Sequence, residues 1–247
     1  MSGTALLAYS RWHARDGLVR ALVPVLIFAG IGGIPIWSLV AQQGLASSVG
    51  PGQTHDSLAM IYTQTMELAM TLGAVVLMGG LVADDRERGY FRFLFAAPVV
   101  PWQHYLLRFV IGVALYSTCF ALVPISFGAA LFEVPIVAAV RAAVLYGFLF
   151  GSVAMLGGAL FNRDGVFLIV VVLVSGMLQQ LAKGGMLSRA ATVVAWALPP
   201  VSVVADVRTS WLAGRPSSGN DLLLVVGYSL GLLASALWIV RRAPLAR

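Results

Sequence analysis

The residues most suggestive of chemistry lie in an apolar stretch, where four polar side chains follow helical spacing. Glu67 has one threonine a turn before it, Thr63, and another a turn after it, Thr71. Gln64 lies three residues before Glu67, so a helix places all four on one face. An ionisable side chain inside an apolar helix is costly and points to function. This face is either a polar wall of a translocation path or a set of hydrogen bonds between helices.

The common patterns of nucleotide and metal chemistry are missing from the sequence. The only lysine, Lys183, follows an alanine and not the glycine that a phosphate-binding P-loop requires. The three histidines, His13, His55 and His104, lie in separate segments, and no HExxH pattern is present. We therefore predict that the chain is not an enzyme and binds no cofactor or metal itself. An enzyme that works inside the membrane is the remaining catalytic alternative.

The composition is that of an integral membrane protein. Hydrophobic residues make up 60% of the 247 residues and charged residues 11%, too few charges to cover a soluble domain. The formal net charge is +6, but the arginines lie at the ends of apolar runs, which favours membrane flanks over a nucleic-acid surface. We therefore expect an all-α, polytopic membrane helical bundle that forms a single transmembrane domain.

Apolar runs of about twenty residues, the length that crosses the hydrocarbon core, predict six membrane spans. The predicted spans are residues 21–41, 60–83, 109–131, 142–161, 165–182 and 222–240. Residues 1–20 predict an amphipathic interfacial helix, with a disordered tail as the alternative. Residues 190–212 are largely apolar, but Pro199-Pro200 rules out one straight helix. Two short re-entrant helices fit this segment best, and a seventh span is the alternative.

Lysine and arginine are distributed unevenly between the two sides of this predicted bundle. One side holds 11 of the 16 Lys and Arg residues, in segments 1–20, 84–108, 162–164 and 241–247. The other side holds five, in segments 42–59, 132–141 and 182–221. The positive-inside rule places the first set in the cytoplasm, together with both termini, and the second set, which includes residues 182–221, on the outer side. Arg141 lies close enough to the outer interface to reach it.

A charged segment, Asp84 to Arg108, separates the second predicted span from the third. Aromatic and basic residues alternate in its first half, a pattern typical of a short amphipathic helix ending at Pro98. Such a helix serves either as an anchor on the lipid surface or as a docking element for a soluble partner. The function predicted for the chain therefore depends on whether this segment binds lipid or a protein partner.

This segment resembles its counterpart in the permease subunits of type-2 ATP-binding-cassette (ABC) transporters. That family commonly carries Glu-x-Gly, then Leu, Pro and a basic residue before its third span. Glu87, Gly89, Leu94, Pro98 and Arg108 stand in those places, with arginine where the family usually has lysine. The length, the six spans, the amphipathic N-terminus and the proline-broken segment extend the resemblance over essentially the full chain. The proline-broken segment resembles the family's outer-leaflet re-entrant helices.

The resemblance implies a permease subunit, of an exporter more than an importer, in the cytoplasmic (inner) membrane. It also implies a dimer, homomeric or with a related chain, and a separate nucleotide-binding subunit that holds ATP and Mg. A non-transporting membrane anchor or assembly factor is the alternative. The implied ATPase-docking residues, around the family's coupling helix, are Arg86, Glu87, Arg88, Gly89, Tyr90, Phe91, Arg92, Phe93, Leu94, Phe95 and Pro98. The candidates for lining the translocation path are Thr63, Gln64, Glu67, Thr71, Ser175 and Gln179.

Overall fold

Every regular element in the described part of the chain is an α-helix, so the predicted all-α fold is confirmed there. The computed structural model describes residues 70–87, 100–130, 136–161 and 164–242, with five isolated positions between 11 and 22. Its helices are α1 (70–78), α2 (Ala83–Glu87), α3 (Pro101–Ala130), α4 (Ile136–Phe161), α5 (Asp164–Lys183), α6 (Arg189–Ala197), α7 (Val201–Leu212) and α8 (Gly219–Arg242).

Three of these helices are long and apolar enough to cross a membrane. They are α4 with 26 residues, the Gly165–Lys183 part of α5 with 19, and α8 with 24. About twenty residues are needed for a crossing, and each helix contains one of the last three predicted spans. These three spans are confirmed as helices of membrane length. The predicted interfacial helix 1–20, apart from the isolated positions, the first span 21–41 and residues 60–69 of the second lie outside the described residues.

Helix α4 lies at the centre of the described bundle. In its membrane-length window 61% of the residues are buried, against 22% in α5 and 28% in α8. Its Gly147 and Gly151 form a small-xxx-small pair that admits two aromatic rings of α3. A methyl group at Gly147 would lie 2.8 Å from Cδ1 of Tyr116, and one at Gly151 would lie 2.9 Å from Cε2 of Phe109. The two glycines therefore bring α3 and α4 into close contact.

The outer faces of α5 and α8 are apolar. Leu173 and Met177 of α5 are exposed, as are Leu223 and Trp238 of α8. A water-soluble protein rarely exposes such continuous apolar surface, whereas a bilayer solvates it. The distribution of apolar residues over these helices is therefore that of a membrane protein.

The helix of the second predicted span ends earlier than its apolar run. Helix α1 ends at residue 78, and a turn follows before α2 begins at Ala83. Gly80 in this turn has φ of 80°, a left-handed conformation that glycine adopts without strain. Because residues 79–83 are apolar, the predicted second span continues through this turn. In the structure the turn separates the charged α2 from α1.

The helix of the third predicted span begins eight residues before the predicted start at 109. Helix α3 begins at Pro101, and proline is well suited to the first helical position because its missing N–H would have no partner there. The helix then continues through His104 and Arg108 into the apolar run. The polar side chains at its start do not interrupt it because they have partners on α2, described below.

The proline-broken segment forms two helices, as the sequence predicts. Helices α6 and α7 are bent by 68° at the break that holds Pro199 and Pro200. Ser188 caps α6, its hydroxyl accepting from the amide of Ala191. The bend itself is confirmed, and it suits either a re-entrant loop or one broken span.

Candidate functional site

The two ends of the charged segment meet in a buried polar cluster, here called the Asp85 cluster and made of Asp85, His104 and Arg108. Oδ2 of Asp85 lies 2.7 Å from Nη1 of Arg108 and 3.5 Å from Nε2 of His104. The side chains of Asp85 and Arg108 are each only 9% exposed. The cluster therefore joins α2 to the first two turns of α3.

Local sequence explains why these three side chains meet. His104 and Arg108 are four residues apart, so α3 places them on one face. The turn at Gly80 changes the direction of the chain after α1. Helix α2 then begins at Ala83 and places Asp85 next to α3. This turn is tight, since a methyl group at Gly80 would lie 2.6 Å from the carboxylate of Asp84. The glycine turn and the early start of α3 are thus both needed for the ion pair.

Burial dominates the electrostatics of the Asp85 cluster. It raises the pKa of Asp85, while the nearby Arg108 guanidinium and, to a smaller extent, the Tyr105 hydroxyl counteract part of the rise. Burial first, and the Arg108 charge second, lower the pKa of His104 from 6.5 to about 4. At neutral pH His104 is therefore uncharged, and the ionic contact of the cluster is the one between Asp85 and Arg108.

A second buried cluster lies at the bend between α6 and α7, here called the Gln179 cluster. Nε2 of Gln179 donates to the carbonyl oxygens of Ala195 at 3.1 Å and Pro199 at 2.9 Å. Its Oε1 accepts from the amide of Ser202 at 2.9 Å. The break at the two prolines leaves the carbonyl of Ala195 and the amide of Ser202 without helical partners, and the fully buried Gln179 side chain bonds both. The carbonyl oxygen of Pro199 also accepts from the amide of Val201, 2.7 Å away.

Two further contacts hold the bent pair in place. Lys183 of α5 forms an ion pair with Asp206 of α7. The hydroxyl of Tyr228 on α8 donates to the carbonyl oxygen of Ala197, 2.9 Å away. The bent pair is therefore fixed to both α5 and α8.

Arg208 is a buried cation within residues 190–212, the segment predicted to form re-entrant helices. Its side chain lies inside the bundle, 4% exposed, with the guanidinium carbon 5.8 Å from the ring centre of Tyr146 on α4. Arg208 continues the buried stripe of Val203, Val204 and Val207 on α7. That helical spacing was the signal available in the sequence.

The predicted ATPase-docking residues fall mostly outside the described residues, which leave out 88–99. The backbone of Arg86 and Glu87 lies in α2, and the position of their side chains is not described. The docking role of these residues stays a prediction.

The structure describes three of the six residues predicted to line the translocation path. Thr63, Gln64 and Glu67 lie outside the described residues, and Thr71 is half-buried on α1. Ser175 and Gln179 are fully buried on α5, one turn apart. The structure brings Gln179 to the bend between α6 and α7, and a role for it in lining a path stays a prediction.

No described group resembles a catalytic or metal site. The sequence has a Gly-x-Ser-x-Gly pattern at Gly227 to Gly231, but it lies within α8 and not on the strand-to-helix turn of a nucleophile elbow. Its Ser229 hydroxyl is buried and donates to the carbonyl oxygen of Val225. No three His, Cys, Asp or Glu side chains gather as metal ligands among the described residues.

The comparisons with known proteins give no family assignment. No protein-family model matches the chain, and no curated protein matches it significantly.

Proposed function

We propose that the chain is the membrane-spanning permease subunit of an ABC transporter that exports its substrate across the cytoplasmic membrane. The observation that carries this proposal is the Asp85 cluster, which ties the two ends of the charged segment together. Arg108, the basic residue of the family-like pattern, is itself a member of the cluster. A docking element that transmits force needs such a rigid root, and a helix that only rests on lipid does not.

The packing behind the Asp85 cluster supports a route from the charged segment into the bundle. Phe109 follows Arg108 and is buried against Gly151 of α4. Met78, the last residue of α1, also reaches this place, with its sulfur 3.4 Å from a methyl group built on Gly151. Close-packed groups transmit displacement instead of absorbing it. Movement of the charged segment would therefore reach the central helix α4 directly.

In this proposal the work comes from a separate subunit. The permease carries no nucleotide-binding motif, so ATP and Mg are held by an ATPase subunit that docks on residues 86–98. Tyr90, Phe91, Phe93 and Phe95 are packing anchors of that interface, and the arginines fix its register. Two permease copies, identical or related, pair with two ATPase subunits. Six spans, with both termini in the cytoplasm and the bent pair in the outer leaflet, complete the arrangement.

The translocation path in this proposal follows the polar face of the second span. Thr63, Gln64, Glu67 and Thr71 would face the cavity between the two permease copies, where a carboxylate meets water and avoids the cost of facing lipid.

Recovery of the partner tests the proposal. We expect affinity-tagged chain, co-expressed with a P-loop ATPase from a neighbouring reading frame, to retain that ATPase after solubilisation in detergent. Phe93→Asp should reduce the retained ATPase tenfold or more, because an interface anchor typically contributes about 2 kcal/mol. Ser218→Asp, at an exposed position before α8, is the control and should retain it fully. If both variants retain the ATPase equally, at equal levels of membrane-inserted chain, the result would favour the alternative function, a non-transporting membrane anchor.

A further inference from the structure

An apolar groove with a single charged residue lies between α4, α7 and α8. Its volume is about 430 Å³, and it is open on one side. Six of its seven lining residues are apolar or aromatic, and the seventh is Arg141. The lining residues are Val140, Arg141, Val144, Leu145, Phe148, Trp211 and Val226.

The groove has a polar end and an apolar floor. Arg141 is exposed at one end, and Phe148 lies seven residues further along α4, about 10 Å away along the helix axis. Leu145 is buried in the floor, and the Phe148 ring is held edge-on against Phe109, 5.8 Å between centres. The indole of Trp211 is fixed by a hydrogen bond to Ser217, 2.9 Å long. The walls are therefore largely preformed.

The charge at the end of this groove selects among ligands. Arg141 forms no ion pair with any other described residue. A guanidinium group binds phosphate through two parallel hydrogen bonds, and tryptophan and arginine side chains commonly lie at the level of lipid headgroups. A water-soluble ligand would require several polar groups to orient it, and this lining offers only one charged side chain. The chemistry thus fits a long apolar chain that ends in an anion.

We propose that this groove binds a membrane phospholipid with an anionic headgroup. The acyl chain lies along Val144 and Phe148, where it supplies the dispersion contacts that an empty groove would forfeit. The phosphate lies on Arg141, and the headgroup's net negative charge gives the preference. This proposal does not depend on the transport function, since it uses only α4, α7 and α8 in a bilayer.

Quenching of Trp211 by brominated lipids tests the site in the full chain. Purified protein is placed in phosphatidylcholine bilayers that contain dibrominated phosphatidylglycerol or dibrominated phosphatidylcholine. The Trp211 signal is the difference between the native chain and Trp211→Phe. We expect the brominated phosphatidylglycerol to quench Trp211 with about fivefold higher apparent affinity than the brominated phosphatidylcholine. Arg141→Gln should abolish this preference.

Matched variants separate the groove from general attraction to a basic protein. Arg189→Gln removes the same charge from an exposed position outside the groove and should keep the preference. Val144→Phe narrows the groove and should weaken quenching by both lipids, whereas Leu160→Phe, at an exposed position near the other end of α4, should not. Equal quenching by the two lipids, a preference that survives Arg141→Gln, or no effect of Val144→Phe would overturn the proposal. Absence of quenching by either lipid would also overturn it, as expected if a second copy of the chain covers the groove.

Discussion

Asp85 and Arg108 lie at opposite ends of the charged segment and form a buried ion pair, with Oδ2 of the aspartate 2.7 Å from Nη1 of the arginine. The pair joins α2 to α3 and fixes the two ends of the charged segment relative to each other. Because burial makes each charge costly alone, each residue requires the other. This mutual dependence gives the first prediction.

Asp85→Asn should lower the free energy of unfolding of the purified full chain by about 3 kcal/mol, because it leaves the Arg108 charge buried without its counterion. Thermal or denaturant unfolding in detergent measures the loss. The double variant Asp85→Asn with Arg108→Gln should lose less than the two single variants added together.

Asp206→Asn is the control for this ion pair. It breaks the contact with Lys183, whose two side chains are 31% and 60% exposed, and a pair so exposed contributes at most about 1 kcal/mol. If Asp85→Asn costs no more than Asp206→Asn, the Asp85 cluster does not fix the ends of the charged segment.

The second prediction is a loss of stability in mild acid caused by His104. Its pKa is about 4 in the folded chain and 6.5 as the ordinary value, so between these values the unfolded chain binds more protons. Stability therefore falls as the pH drops below 6.5, by about 2 kcal/mol at pH 5 from this group alone. His104→Gln should remove that part of the fall.

Asp85 contributes with the opposite sign. Its pKa is raised by burial, so the folded chain holds this proton at pH values above 3.8 where the unfolded chain has released it. Asp85 is present in both chains, so comparing melting curves of the native chain and His104→Gln from pH 7.5 to pH 5 isolates the imidazole. Parallel curves would show that His104 is not buried as an uncharged group.

The third prediction concerns Gln179, whose side-chain amide forms hydrogen bonds with the backbone at the bend between α6 and α7. Gln179→Leu should cost about 3 kcal/mol, because it leaves the carbonyl oxygens of Ala195 and Pro199 and the amide of Ser202 buried without this partner. Hydrogen exchange of Ser202 and its neighbours should accelerate as the bend opens. Gln180→Leu, at an exposed position one residue later, is the control and should change stability by less than about 0.5 kcal/mol.

A loss of transport in Gln179→Leu with unchanged stability would instead favour the predicted path role. The two roles are therefore separable, because a structural side chain changes the free energy of unfolding and a residue that only lines a path does not.

The fourth prediction fixes the orientation of the chain. With Cys119 replaced by serine, a cysteine at Ser218 should react with a membrane-impermeant thiol reagent in intact cells. A cysteine at Arg242 should react only after lysis. These exposed positions lie before and at the end of α8, one of the three membrane-length helices, so they report its two sides. The reverse pattern would place the charged segment outside the cell and remove its docking role.

Length and composition were enough to predict the all-helical class and three helices of membrane length. The apolar runs of α4, α5 and α8 specify their own helices, because a long apolar stretch in lipid must satisfy its backbone internally. The bend at Pro199 and Pro200 was equally predictable, since proline cannot continue a helix. These features depend on residues that are neighbours in sequence.

Two of the features that sequence reasoning missed depend on distant partners, and the third, the turn at Gly80, is local. The pairing with Asp85 lets α3 carry Arg108 buried in its second turn, and nothing within residues 101–108 signals that partner. Gln179 was interpreted as a path residue because a polar side chain in a span points to function, yet its partners are backbone groups, which every residue type carries. The turn at Gly80 was hidden inside an apolar run. Pairing of this kind is visible only once the helices are packed.

ATP hydrolysis in a reconstituted complex tests the central claim most directly. The chain and the P-loop ATPase from a neighbouring reading frame are placed together in lipid bilayers, and the rate of ATP hydrolysis is compared with that of the ATPase alone. We predict that the chain changes the rate severalfold and that both Glu87→Ala and Phe93→Asp abolish the change while membrane insertion stays intact. An unchanged rate with the native chain, or the same change with both variants, would contradict a permease that is driven through residues 84–108.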